Sequence, residues 1–299
     1  MKRQLLIPAL LLLFLPFAQG KVKLPAMMGD HMVLQQNSSV KLWGRADGKK
    51  VTITTSWNNR TYRTSTDKDG NWLVKVDTPA GGYTPYSITI SDGTPVTLSD
   101  ILIGEVWICS GQSNMEMRMM GNSAQPVDNS LETILNAGNY RDRIRFITVP
   151  RIKDIQKRTD FEGKKWEVSS PETTIDCSAT GYFFAKQLTQ SLNLPVGLVI
   201  NSWGGSAIEA WMDEQTLSTI EGMNIEAAKS PKRDVRQRLE CLYNLMLWPV
   251  KNFTARGFLW YQGESNISNY QFYAPMMTAM VQLWRNVWEA PDMPFYYVQ

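Results

Sequence analysis

Between Lys23 and Thr97 the apolar and polar residues alternate in short runs, "SVKLWG", "KVTITTSW", "NWLVKV" and "YSITIS", separated by "ADGKK", "DKDGN", "PAGGY" and "SDGTP". A period of two broken by turn residues predicts an antiparallel, sandwich-like β-domain over residues 21–100. After Ile101 the texture changes. Apolar runs of strand length, "ILIGEVWIC", "RIRFITV", "PVGLVINSW" and "RGFLWY", alternate with segments of helical period such as "TGYFFAKQLTQSL" and "DVRQRLECLYNLML". Strands alternating with helices predict parallel pairing through crossovers, hence a three-layer α/β/α domain over residues 101–299. Tyr273, Met276, Met277, Met280, Val281, Trp284, Val287 and Trp288 recur at three- and four-residue steps and predict a helix covering that sheet. "FYYVQ" then reads as a further strand.

In open α/β sheets ligands bind beyond the carboxyl ends of the strands, so a polar loop directly after a strand is a candidate site. Three such loops stand out: "SGQSNM" after the first strand, "GGSAIEAW" after "PVGLVINSW", and "QGESN" after "RGFLWY". They offer a hydroxyl, backbone N–H groups unobstructed by side chains, and amide and carboxylate groups. That inventory suits acyl transfer, in which a nucleophile attacks a carbonyl and several donors hold the developing oxyanion. Each loop alone reads equally well as a turn or a helix cap. The nucleophile elbow of α/β-hydrolases is excluded, because G-x-S-x-G needs glycine where Met115 stands.

Composition narrows the partners. Lys2, Arg3, the apolar run Leu5 to Ala18 and the small residues before Lys21 have the layout of a signal peptide over residues 1–20. A secreted, periplasmic or lumenal location is expected, with an uncleaved anchor as the alternative. Without that segment 29 basic residues face 28 acidic ones, which argues against nucleic acid as a partner. Cys109, Cys177 and Cys241 are too few for a disulfide framework, and with His31 as the single histidine no metal-ligand spacing exists. Asn37, Asn59, Asn252 and Asn266 begin N-x-[ST] sequons.

"GEVWICSGQSNMEM", "INSWGGSAIEAW" and "GFLWYQGESN", preceded by "LPAMMGDHMVLQQ", resemble the corresponding blocks of the sialate O-acetylesterases and related carbohydrate esterases of the SGNH-hydrolase superfamily. The resemblance implies a serine esterase that removes O-acetyl groups from sugars, sialic acids first among them, without metal or organic cofactor. Its partner is then an acetylated sugar or glycan. Carried over by position, Ser113 is the nucleophile, and its own N–H with that of Gly204 or Gly205 holds the oxyanion. Gln262 is the preferred third donor and Asn266 the alternative. Glu264 is expected to orient a neighbour, and Trp203 to contact substrate.

The family's Asp and His arrive together in a D-x-x-H block, and no such block occurs here. The expectation is therefore that the chain is a front part of an esterase, inactive by itself, with His31 too remote to act as base. A catalytically dead glycan-binding protein, stacking sugars on Trp203, Trp211 and Trp260, is the rival reading. A structural cell-surface β-protein would leave the three polar loops unexplained.

Overall fold

The computed structural model describes residues 22–298; the signal-like segment of residues 1–20 lies outside them. Twelve strands run in order: β1 (Val33–Gln35), β2 (Ser39–Arg45), β3 (Lys50–Thr55), β4 (Arg60–Ser65), β5 (Asn71–Asp77), β6 (Gly82–Ser91), β7 (Pro95–Gly111), β8 (Ile144–Thr148), β9 (Glu167–Val168), β10 (Val196–Ser202), β11 (Gly257–Tyr261) and β12 (Phe295–Tyr297). β2 and β5 form an antiparallel pair, while β4, β3, β6 and β7 are joined antiparallel in that order. Alternate residues of both groups, Val40, Leu42 and Val76 from one and Val51, Ile53, Ile88 and Ile90 from the other, meet in one core.

The change of texture near residue 100 falls inside a single strand. β7 is 17 residues long, antiparallel to β6 at its start and parallel to β10 and β11 at its end. Pairing with β6 runs on to Ile103, and that with β10 begins at Glu105; just before this passage Asp100 has a left-handed φ of 55° that an aspartate accepts more readily than most residues. Its carboxylate receives Nδ1 of His31 at 2.7 Å and Nη2 of the buried Arg145 at 2.9 Å. Burial pushes this carboxyl up, but the hydrogen bonds from His31 and Arg145 outweigh it and hold the group below its ordinary value. The single histidine is thereby tied to β7 at Asp100. Eleven residue steps, about 36 Å at a rise of ~3.3 Å per residue, lie between Asp100 and the strand's end at Gly111.

From Glu105 on the order is β12, β11, β7, β10, β8, with β9 antiparallel at one edge. α1 (Ser113–Glu116) is a single turn directly after β7. α2 (Ala179–Leu192) starts at Ser178, whose hydroxyl accepts the Gly181 N–H at 3.0 Å, and stops at Asn193 in the left-handed conformation. It lays Gly181, Tyr182 and Ala185 on one face of the sheet, over Cys109, Leu198 and Ile200. α3 (Tyr273–Trp288) covers the opposite face. Its Met276, Met280, Trp284 and Trp288 are buried, with Trp284 at 5.2 Å and Trp288 at 5.0 Å from the ring of Phe258. The chain is an α/β protein in which helices flank a mostly parallel sheet.

One local expectation needs correction. "DVRQRLECLYNLML" is not helical from its start: Asp234 to Glu240 forms turns, because the Asp234 carboxylate binds the Arg236 N–H and guanidinium and Glu240 has φ 66°. Helical structure begins at Cys241. "FYYVQ" supplies the expected strand: β12 pairs with β11 on one side, and Tyr296 stacks on Trp107 at 5.4 Å. The three cysteines are unbonded and buried, and burial pushes the Cys109 and Cys177 thiols up, so neither is a reactive thiolate. Among the described residues no helix is long and apolar enough to cross a membrane.

Candidate active site

Register places the three loops together. Ser202 of β10 and Tyr261 of β11 both pair with Gly111 of β7, so the three strands end level and their loops emerge side by side. Gly111 is the joint. Its carbonyl accepts the Trp203 N–H at 3.1 Å and the Ser206 hydroxyl at 3.3 Å, while the next N–H, that of Gln112, donates to the Tyr261 carbonyl at 2.9 Å. Its φ of 139° suits glycine, and a Cβ there would press on the carbonyl oxygen of Tyr261 and lie 2.7 Å from its carbonyl carbon.

Directly after this joint Gln112 is buried, Ser113 exposed and Met115 buried. Gln112 faces the third loop, where its Oε1 accepts the N–H groups of Gly263 and Ser265 at 3.3 Å each. Asn114 donates to Glu264 at 2.8 Å, a second tie between the same loops. The Met115 carbonyl accepts the Ser178 hydroxyl and the Asn114 carbonyl that of Thr180, which fixes the turn over the start of α2. Ser113 is thus an exposed hydroxyl on a backbone clamped from both sides, and among the described residues no side-chain hydrogen bond engages it.

Gly204 lies against Ser113. A Cβ on Gly204 would stand 3.6 Å from both Cα and Cβ of Ser113. Its N–H donates to Oε2 of Glu116, whose other oxygen pairs with Arg151. Gly205 has φ 76°, and its N–H has no acceptor among the described residues. Behind the turn Arg236 donates to the Gly204 carbonyl at 3.2 Å and binds Asp234 through Nε at 2.8 Å and Nη2 at 3.3 Å. Those bonds hold the Asp234 carboxyl below its ordinary value and raise the Arg236 guanidinium. Glu116, Arg151 and Arg236 were missed in the sequence. Glu116 alone carried a signal, being three residues beyond Ser113 at a helix start.

The third loop differs from expectation. Oδ1 of Asn266 accepts the Ile208 N–H at 3.0 Å, which fixes its amide orientation and turns Nδ2 toward Glu209 at 2.7 Å and Asn269 at 3.2 Å. Gln262 Nε2 then faces two acceptors, the Ser206 carbonyl at 2.9 Å and Oδ1 of Asn266 at 2.7 Å, while its Oε1 meets the Tyr273 hydroxyl at 2.8 Å. Burial raises the phenol of Tyr273 above its ordinary value, which keeps it a proton donor. In this arrangement neither Gln262 nor Asn266 has an N–H left for an oxyanion at Ser113. Both amides bind the second and third loops to each other.

Asn266→Ala should therefore act on stability. It would leave the Ile208 N–H unpaired and remove a donor from Glu209, which is 1% exposed, at a cost of about 2 kcal/mol. Denaturant unfolding checks this. An unchanged midpoint together with a large fall in kcat would restore Asn266 as an oxyanion donor.

Trp203 is also displaced from its expected role. It is 8% exposed and belongs to the core, as do Trp211 and Trp260, whose rings pack edge to face at 6.0 Å. None of these rings is open for stacking on a sugar.

The model of a family described as carbohydrate esterase, sialic acid-specific acetylesterase matches residues 103–299. Human sialate O-acetylesterase is 29% identical over 283 residues, covering 86% of this chain and 52% of that protein, and the mouse protein is 27% identical over 90% and 58%. The chain spans about half the length of these curated relatives. The crystal structure of a carbohydrate acetylesterase from Xanthomonas citri superposes with a TM-score of 0.81 at 30% identity, covering 93% of this chain and 60% of that one. The chain belongs to the carbohydrate esterase family of sialic acid-specific acetylesterases.

Proposed function

We propose that Ser113 is the nucleophile of a carbohydrate O-acetylesterase working through an acetyl-enzyme. The observation that carries this reading is an exposed, unbonded serine hydroxyl on a clamped turn, set against Gly204. Oγ attacks the acetyl carbonyl, the sugar hydroxyl leaves, and water then releases acetate and restores the serine. The N–H of Ser113 and that of Gly205 are the donors available to the oxyanion, since Gly204 already gives its N–H to Glu116. Glu264 orients the nucleophile turn through Asn114.

Attack also needs a proton acceptor. Glu116 and Glu264 are the carboxylates tied to this turn, and a carboxylate is a poor base for a serine hydroxyl. Among the described residues no imidazole lies beside Ser113, so this chain alone turns over slowly at most, and rapid turnover belongs to a form with a histidine base at Ser113. The relatives' names support acetylated sugars as substrates. The rival reading as a glycan-binding protein loses its stacking platform, because Trp203, Trp211 and Trp260 are buried.

The chain as it stands tests the nucleophile. With 4-nitrophenyl acetate, whose leaving group needs no protonation, acetyl should collect on Ser113, because deacylation needs the base even more than acylation does. Acid quenching, digestion and mass spectrometry should find the peptide carrying Ser113 acetylated ahead of any lysine peptide. Lysine acetylation with Ser113 untouched would exclude it as nucleophile.

A further inference from the structure

The second loop turns through Trp203, Gly204, Gly205 and Ser206, closed by the Ser206 N–H donating to the Trp203 carbonyl at 3.2 Å. Gly205 is the third residue of this β-turn and has φ 76°, the left-handed value that a type II turn requires there and a type I turn replaces with a negative one. The two types differ in which way the central peptide faces, and glycine on both sides of that peptide accepts either. Around it the Gly204 N–H donates to Glu116, Gln262 binds the Ser206 carbonyl at 2.9 Å, and the Ala207 N–H donates to the Arg236 carbonyl at 3.0 Å. None of these bonds touches the peptide joining Gly204 to Gly205. Among the described residues that peptide is held by Arg236, whose Nη1 donates to the Gly204 carbonyl at 3.2 Å while Asp234 aims the guanidinium through Nε at 2.8 Å and Nη2 at 3.3 Å. A trans peptide carries its C=O and N–H on opposite sides, so the same bond points the Gly205 N–H away from Arg236. Turned over, the peptide would present a carbonyl oxygen where that N–H now stands, and an oxyanion would meet the wrong end of the dipole.

We infer that Arg236 is a positioning residue for the reaction: it latches the Gly204–Gly205 peptide with its N–H free to meet the oxyanion. This role rests on Ser113 being the nucleophile. Acylation of Ser113, per folded molecule, is timed with 4-nitrophenyl acetate and with its thiono analogue, whose developing charge sits on sulfur, a weak acceptor that gains little from the Gly205 N–H. A hydrogen bond from a charged group biases an equilibrium by roughly tenfold to a hundredfold, so Arg236→Ala should slow acylation by the oxygen ester about tenfold or more and by the thiono ester much less. A contact that only stiffened the turn would slow both alike. The melting temperature should move little, since the Arg236 side chain is 38% exposed and its backbone bond to Ala207 survives the substitution. Arg236→Lys, which keeps a cation beside Asp234 and a donor for the Gly204 carbonyl, should regain part of the rate. An alanine variant acylated at the parent rate, one slowed equally with both esters, or a lysine variant no faster than alanine overturns the latch. A parent chain acylated on lysines and not on Ser113 overturns the nucleophile instead.

Discussion

Ser113→Ala is expected to lower acetyl-ester hydrolysis about 10⁶-fold in a form of the protein with a histidine base at the serine, the loss measured when a serine nucleophile is removed. The melting temperature should hardly move. Ser113 is exposed, its hydroxyl has no hydrogen bond among the described residues, and surface changes away from caps and buried contacts usually fall within about 0.5 kcal/mol. Chemistry and stability are separable here because Gln112 and Asn114, not Ser113, carry the ties to the third loop. Oxyanion donors persist in the variant and leave a residual rate over water, so activity should fall to that floor and not to zero. A variant retaining a tenth of the activity would show that the attacking oxygen is elsewhere.

The parts of this site legible in the sequence are those set by local pattern. Each apolar run marked a strand, each polar loop after it marked an end, and parallel pairing brought Gly111, Ser202 and Tyr261 to one level. What stayed hidden depends on partners distant in the chain. The amides of Gln262 and Asn266 look available in "QGESN", but their orientations follow from the Ile208 N–H and the Glu209 carboxylate, more than fifty residues upstream. Trp203 reads as a loop aromatic free to meet a sugar, yet it packs into the core beneath the loop. The passage between the two sheets also left no trace of its mechanism. Composition changes near residue 100, but only the structure shows one strand continuing through it, with Asp100 in the left-handed conformation and held by His31 and Arg145.

Gly111→Ala should be the most damaging substitution outside the reacting groups. Two costs coincide at this residue. A φ of 139° belongs to a region that is essentially glycine's alone, so any side chain strains the backbone. The added Cβ would also collide with the carbonyl of Tyr261, part of the paired backbone of β11 and not a flexible side chain that can swing away. Relief requires β7 and β11 to separate or the Gly111 peptide to rotate. Either movement disturbs the bonds that set the site: Gln112 N–H to Tyr261, Trp203 N–H to Gly111, and Ser206 hydroxyl to Gly111. Strain of about 3 kcal/mol should appear as a lower melting temperature. A shift of about 1 Å between Ser113 and its oxyanion donors should cost a further factor of about 10² in activity of the folded fraction. The two effects are measured apart, by denaturant unfolding and by the rate of Ser113 acetylation per folded molecule. An alanine variant with unchanged stability and acetylation would mean that Gly111 is not the joint holding the three loops in register.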